Sequence, residues 1–329
     1  MSRVVRFHRL GGPEVLQFDE LDIGNPGPGE VRIRVRALGL NRAECMFRRG
    51  VYPEVALLPA KIGYEASGEI EAVGSGVVDL SVGDKVSTIP AFSLNQYGVY
   101  GEAAIVPSFA VVKHPSSLSF PEAASIWMQY LTAYGAVVEY GRLKAGETVL
   151  VTAASSSVGL AAIQVANSLG ATAIAATRSA AKRDALLAAG ASRVVVTDEQ
   201  DLATEVMRLT DGNGANLAVD PIGGPAMDAI INALGENSVL VPYGIMITEP
   251  TIYPLVTALA KNLTIHAFTL PFLTRDPNRM KQGKEFVLSG VEAGQLKPII
   301  SRIFPFEEMV DAHRFMESNQ QVGKIVVTI

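Results

Sequence analysis

One stretch, residues 148–170 (TVLVTAASSSVGLAAIQVANSLG), constrains the fold of this chain more than any other. Residues 148–152 form a short apolar, β-branched run of the kind that makes a strand buried in a parallel sheet. A turn of very small residues follows, Ala153-Ala154-Ser155-Ser156-Ser157. Val158, Gly159 and Leu160 then begin an apolar helix that runs to about Leu169 and stops at Gly170, a helix-ending glycine. A second apolar run, residues 171–177, leads through Arg178 and Ser179 into a helix that ends at Gly190. This is a complete βαβ unit of the usual length.

The unit resembles the opening of a dinucleotide-binding domain, in which N–H groups at the helix start hold a pyrophosphate. The glycine pattern departs from G-x-G-x-x-G. Ala154 and Ser156 occupy the first two glycine positions, and only Gly159, where the helix must approach the strand closely, is kept. Ser155, Ser156, Ser157 and Val158 are therefore the expected cofactor contacts in the turn. NAD-preferring domains end the second strand on an acid that binds the ribose 2′-hydroxyl. Thr177 stands there instead, with Arg178 next and Lys182 one turn further. With no carboxylate to repel a phosphate and two cations to pair with one, the expected cofactor is NADPH rather than NADH.

The 329 residues are too many for one ordinary core, so two domains are expected. Residues 1 to about 120 read as β-rich, with strand-like runs at 4–9, 30–38, 65–73 and 102–106 between Gly/Pro-rich turns. Residues 122 to about 140 read as helical. From 148 to about 288 short apolar strands alternate with helices (148–152, 171–177, 193–197, 217–220, 238–242 and 263–267), which means a parallel sheet with helices on both faces. The tail returns to a strand at 299–304, a helix at 306–318 and a last strand at 324–329. The fold class is thus α/β, with the domain of residues 122–289 set inside a β-rich domain of residues 1–121 completed by 290–329.

Charged residues are 19% of the chain and its net charge is −5, which argues against an electrostatic nucleic-acid or membrane-surface binder. No run of residues approaches the ~20 apolar positions that span a bilayer. The opening residues read as a strand and not as a secretion signal. A single cysteine, Cys45, fits a reducing, cytoplasmic setting and reads as a small buried residue.

Several short motifs recur in order along the chain: Gly39-Leu40-Asn41-Arg42-Ala43-Glu44, Gly63-Tyr64-Glu65-Ala66-Ser67-Gly68, Val73-Gly74-Ser75-Gly76-Val77, Val82-Gly83-Asp84-Lys85-Val86, Leu131-Thr132-Ala133-Tyr134 and Gln321-Val322-Gly323-Lys324. Together with the turn at 153–159 they resemble the medium-chain dehydrogenase/reductase superfamily, in its zinc-independent quinone-oxidoreductase (zeta-crystallin-like) branch. The resemblance implies a GroES-like β domain enclosing a Rossmann domain, with the active site in the cleft. It also implies cofactor contacts from Thr132, Tyr243, Gly244, Phe268 and Lys324, and a homodimer. The apolar runs 253–259 and 263–267 offer edge material for such a dimer.

Zinc-dependent members of the superfamily hold the metal with Cys, His and Cys; those positions here carry Asn41, Tyr64 and Met128. An amide, a phenol and a thioether are not a zinc site, so no metal is expected. Without a Lewis acid, the reaction the resemblance implies is hydride transfer from NADPH to a quinone or an α,β-unsaturated carbonyl, whose oxygen needs a hydrogen bond or a proton. The candidates for that task are Asn41, Tyr52 and Tyr64, with Gln129 lining the pocket. Glu44 and Glu65 read as structural, pairing with backbone or with Arg42; Asp220 reads as a turn residue and His266 as structural. The loops at 51–58, 92–100, 246–252 and 268–273 are mostly apolar or aromatic, which points to a small hydrophobic substrate. An enoyl-thioester reductase and a non-catalytic NADPH-binding protein of crystallin type are the alternatives.

Overall fold

The computed structural model describes residues 1–247 and 249–329, and its chain divides into two compact units. The first comprises Met1–Met128 and Pro298–Ile329, the second Gln129–Lys297. Both boundaries lie somewhat C-terminal of 121 and 289, and hydrogen bonds explain why. Trp127 donates its indole N–H to Ser87 Oγ at 2.8 Å, and Met128 N–H donates to Glu65 Oε1 at 2.9 Å, so residues 120–128 belong to the β-rich unit. Lys297 exchanges backbone bonds with the side chain of Gln164, which keeps it in the second unit.

The first unit is built on the long strand Glu30–Leu40, whose alternating Val31, Ile33 and Val35 are buried. One edge pairs with Glu65–Val73; the other is shared, Glu30–Arg34 taking Ala103–Pro107 and Ala37–Leu40 taking Lys324–Thr328. Lys85–Thr88 and Val111–Lys113 extend the sheet on one side, Ile300–Pro305 on the other. A smaller sheet joins Leu16–Leu21, Ser2–Phe7 and Ala60–Lys61. The last strand of the chain therefore lies beside residues 37–40, directly before the helix Arg42–Arg49.

In the second unit six parallel strands run in the order Arg193–Val196, Thr172–Thr177, Thr148–Val151, Ala215–Asp220, Leu234–Pro242, Thr264–Ile265. Numbered along the chain this is 3-2-1-4-5-6, the doubly wound order whose switch point lies between the first and fourth strands. Leu150, Ile174, Val195, Ala218 and Leu240 meet helix residues Val206, Met227 and Ile230 in one buried cluster.

Two expectations change. The helix read over 122–140 is three pieces: Phe120–Ala123, Trp127–Ala133 and a wide π-helical segment, Tyr134–Tyr140. Ser119 and Glu122 form a capping box that starts the first piece, which is one turn long. The strand read over 263–267 has only Thr264 and Ile265 in register with its neighbour, although His266 N–H and Phe268 N–H still donate to Leu240 O and Pro242 O, both at 2.9 Å. Among the described residues it is an edge strand, paired on one side only.

Candidate functional site

Each unit carries one cluster of the residues singled out above. In the first unit the chain leaves the strand Glu30–Leu40 and enters the helix Arg42–Arg49 through Asn41, the N-cap. Glu44, at the third helical position, reaches back to accept from Asn41 N–H at 2.5 Å. Its carboxylate also accepts from Tyr64 N–H at 3.0 Å and from Tyr100 O–H at 2.9 Å. One capping glutamate thus ties a helix start to two other segments.

Glu65 is the second buried carboxylate. It accepts from Met128 N–H, from Asn41 Nδ2 at 3.1 Å and from Lys324 Nζ, with which it forms an ion pair. Lys324 donates to Asn41 Oδ1 at 2.6 Å as well, and its side chain has no exposure to solvent. Asn41 Nδ2 lies within 3.2 Å of Gly39 O and of Glu44 Oε1.

These contacts show how Asn41 and Lys324 are held, and that Glu44 and Glu65 take the backbone pairing of the two expected. The Asn41 amide, expected to face a ligand, is engaged on both its oxygen and its nitrogen by this cluster. Lys324, expected at the cofactor, is the buried counter-ion of Glu65. Arg42 does not pair with Glu44 or Glu65; it donates to Met316 O at 2.9 Å and to Asn319 Oδ1 at 2.5 Å, fastening the C-terminal helix Met309–Glu317.

Tyr64 and Tyr52 place their hydroxyls 3.3 Å apart. Tyr64 tilts against Phe92 (centroids 5.7 Å), Phe92 meets Tyr97 edge-on (6.0 Å), and Tyr52 meets Phe47 edge-on (6.3 Å), so the hydroxyl pair is set among aromatic rings. Burial pushes the Tyr64 phenol well above its usual range, and the neighbouring Tyr52, Glu54 and Glu44 add to the shift. The Tyr64 hydroxyl therefore keeps its proton and can act as a neutral hydrogen-bond donor. Cys45 is buried 3.7 Å from His313 Nδ1; desolvation raises the thiol to about 12 and lowers the imidazole to about 3.

A catalytic metal does not fit these residues. The three ligand positions hold an amide bonded within the cluster, a phenol held in its protonated form and a thioether. The nearby carboxylate Glu65 is already paired with the ammonium of Lys324.

The second unit gathers the cofactor candidates. Ser156 caps the helix Ser157–Ser168, its hydroxyl accepting from Gly159 N–H at 3.0 Å. The remaining first-turn N–H groups, those of Ser157 and Val158, have no carbonyl within a helix to meet and face the turn. A Cβ on Gly159 would lie 2.6 Å from Ala154 O, so glycine is required. The residue that bends the turn is Ala153, at φ +44°, a left-handed conformation that alanine rarely adopts and that the glycine pattern did not reveal.

Lys182 Nζ donates to Ser155 Oγ at 3.0 Å, which joins the turn to the end of the second strand. Burial and the adjacent Arg178 both lower the Lys182 ammonium, the signature of two cations crowded at one place. Thr177 is buried and its carbonyl accepts from Thr197 N–H at 2.8 Å. At the switch point Asp220 accepts from Thr152 O–H and from Gly223 N–H (2.8 Å), and Tyr243 N–H donates to Asp220 O at 2.9 Å. The Tyr243 hydroxyl is buried beside the Ser156 side chain, and desolvation with the nearby Asp220 carboxylate holds the phenol well above its usual range. Gly244 follows against Pro221. A helix start with unmet N–H groups and a crowded pair of cations are what a phosphorylated dinucleotide fits.

Thr132 is buried in the helix Trp127–Ala133, and Gln129 beside it is buried with its Oε1 unpartnered among the described residues. Phe268 is buried against Tyr140 (4.9 Å) and against Gly135, where a Cβ would fall 2.4 Å from its ring. His266 stacks on the same Tyr140 at 4.1 Å. Within the loop 246–252, Thr248 lies outside the described residues.

Comparison with known proteins defines the class. Residues 27–116 match a family profile described as alcohol dehydrogenase GroES-like domain, and residues 189–327 one described as zinc-binding dehydrogenase. The synaptic vesicle membrane protein VAT-1 homolog of Rattus norvegicus is 31% identical, covering 92% of this chain and 77% of its own. A quinone oxidoreductase of Pseudomonas aeruginosa is 30% identical over 99% of both chains. Among solved structures, an NAD-dependent alcohol dehydrogenase superposes with a TM-score of 0.92 at 32% identity, covering 99% of each chain. The Escherichia coli quinone oxidoreductase complexed with NADPH superposes at 0.90 with 26% identity, covering all of both.

The chain belongs to the quinone-oxidoreductase branch of the medium-chain dehydrogenase/reductase superfamily, and it is an oxidoreductase. The donor set described above departs from the zinc-binding description of the second profile.

Burial raises Glu44 to about 7, against the opposing pull of Lys324 and of the hydrogen bonds from Asn41 and Tyr64. A carboxyl whose folded pKa lies above its unfolded value stabilises the fold at low pH and loses that contribution as pH rises from about 4.5 to about 7. The difference in unfolding free energy between Glu44→Gln and wild type, from urea melts across that window, should therefore shift in favour of the variant as pH rises.

Proposed function

We propose that this protein is an NADPH-dependent reductase of quinones or α,β-unsaturated carbonyls. The observation that carries the cofactor part is the contact of Lys182 with Ser155 beside Arg178, at a strand end occupied by Thr177 and not by an acid. That arrangement suits a 2′-phosphate, and the NADPH complexed with the Escherichia coli quinone oxidoreductase supports the reading. A similar solved structure is that of an NAD-dependent alcohol dehydrogenase; the reading for this chain rests on its own residues at this strand end.

Bound NADPH supplies a hydride to the electrophilic atom of the acceptor. The chain's own residues do the rest. Ser157 and Val158 N–H groups would hold phosphate oxygens and Arg178 and Lys182 the 2′-phosphate, with Tyr243, beside Ser156, bordering the turn. Thr132, Gly244 and Phe268 shape the pocket around it. Of the hydrogen-bonded hydroxyls of Tyr52 and Tyr64, the one that accepts within the pair keeps its own hydrogen to donate a hydrogen bond to the acceptor oxygen, and the proton itself comes from solvent. Asn41 and Lys324 act behind them, by holding Glu44 and Glu65. The rings of Phe92, Tyr97 and Phe47 favour a planar apolar acceptor.

The oligomer is proposed to be a homodimer. The edge strand Thr264–Ile265 has an unpaired side, and Leu255, Val256 and Leu259 nearby are 55%, 82% and 71% exposed, an apolar patch that a second copy would cover. Light scattering should give twice the chain mass; a single-chain mass sinks the dimer.

The reaction is tested by following NADPH oxidation with two quinones, an enal and an enoyl thioester. Turnover of a quinone or the enal is the expected result. Turnover confined to the thioester makes the chain an enoyl-thioester reductase, and tight NADPH binding with no turnover of any acceptor removes the enzymatic reading.

A further inference from the structure

The turn after the first strand of the second unit contains a conformation that its sequence does not favour. Ala153, at φ +44°, is left-handed, and a residue with a Cβ keeps that conformation only where its neighbours impose it. Both neighbours are fastened. Ala154 N–H donates to Ala176 O at 3.1 Å, near the end of the second strand, and Ser156 N–H closes the turn onto Ala153 O at 2.9 Å. On the other side Thr152 N–H donates to Val219 O at 3.2 Å.

The Thr152 side chain adds a bond that links this turn to a second one. Its buried hydroxyl donates to the carboxylate of Asp220, the last residue of the fourth strand and itself wholly buried. The other oxygen of that carboxylate accepts from Gly223 N–H at 2.8 Å. Gly223 and Gly224, at φ +68° and +60°, form a left-handed turn, and Gly224 N–H donates to Thr251 Oγ1 at 2.8 Å. The main-chain oxygen of Asp220 accepts from Tyr243 N–H at 2.9 Å, and the Tyr243 side chain lies beside Ser156, the cap of the helix Ser157–Ser168.

We propose that Asp220 is a positioning residue for the dinucleotide: through Thr152 it holds Ala153 left-handed, and so sets the N–H groups of Ser157 and Val158 for a phosphate before the cofactor arrives. The inference rests on the reading of this turn as the phosphate site. An acid is a poor direct partner for a phosphate, and the bonds of Asp220 go instead to the chain's own donors. A carboxylate accepts on two oxygens, which lets one side chain tie the turn after the first strand to the turn after the fourth.

The consequence is a coupling between positions 152 and 153. With the Thr152 bond made, the strain at Ala153 is met in folding and the cofactor finds the turn already shaped. Without that bond Ala153 relaxes toward the conformations that alanine prefers, and NADPH must restore the turn out of its own binding energy. A glycine at 153 has no such preference, so it should matter most where the Thr152 bond is missing.

NADPH binding to the full-length protein, followed by nicotinamide fluorescence with no acceptor present, tests this. Thr152→Val should weaken binding roughly tenfold, the effect of having to restore one left-handed alanine, and Asp220→Ala at least as much. Asp220→Asn should recover most of the loss. It keeps an acceptor for Gly223 N–H and offers an amide N–H to the Thr152 hydroxyl, which can then donate to Val219 O, 3.3 Å away. Ala153→Gly added to Thr152→Val should restore binding several-fold, and by more than Ala153→Gly alone improves wild type. A role in stability alone would lower the melting temperature without that coupling. Thermal melts identify any variant that fails to fold, and the nearly isosteric Thr152→Val keeps the test informative if Asp220→Ala does. Unchanged binding by Thr152→Val, or an equal effect of Ala153→Gly in both backgrounds, would overturn this inference alone. Failure of wild type to bind NADPH would overturn the cofactor reading together with it.

Discussion

The first unit depends on the buried pair between Lys324 and Glu65. An ion pair with no access to water contributes little net stability, but removing one partner leaves an uncompensated charge and costs about 3–5 kcal/mol. Its consequence is specificity. Lys324 begins the last strand, Asn41 caps a helix near the start of the chain, Glu65 opens a central strand and Met128 ends the unit, and all four meet at the two oxygens of one carboxylate and one ammonium. The segments that carry Tyr52 and Tyr64 are positioned by this cluster through Glu44. The cation at this cluster is the chain's own, and it organises the polar residues around Glu65.

The second unit works by the opposite device, leaving groups ready for a ligand. The Gln129 amide oxygen is buried without a hydrogen-bond partner among the described residues, and Arg178 crowds the Lys182 ammonium. The first-turn N–H groups of the helix Ser157–Ser168 lie at the same end of the sheet. A fold tolerates few such groups without a reason, and here most of them gather at the turn and the end of the second strand of a doubly wound sheet. Ala153, held left-handed, adds local strain at the same turn. Small residues let the backbone approach a phosphate whether or not they are glycines.

What could be read in the sequence was local. The unit at 148–177 was legible because an apolar run, a small-residue turn and an apolar helix are each set by neighbouring residues, and the strand Glu65–Val73 was read to its ends. The strands Leu16–Leu21 and Lys85–Thr88 were missed, being short and mixed in polarity, and the helix at 122–140 was read as one because its break at Ala124 carries no glycine or proline. The roles of Asn41 and Lys324 were not legible for a different reason. Their bond joins residues 283 apart in the chain, and no local pattern announces it. A signal for Asn41 was nonetheless present: Asn41 followed by Glu44 is a capping box, which commits the Asn41 backbone and Glu44 to each other. The expectation for residues 177, 178 and 182 needed no distant contact, because it turns on the charge at a single strand end.

The most direct test of the account is the ratio of kcat/KM for NADPH over NADH with one quinone acceptor, measured with a chelator present in wild type and in Lys182→Ala. Charge-assisted bonds to a 2′-phosphate predict a preference for NADPH of about tenfold or more that Lys182→Ala largely removes, with turnover indifferent to the chelator. Equal or better use of NADH by wild type, or turnover abolished by the chelator, would contradict it.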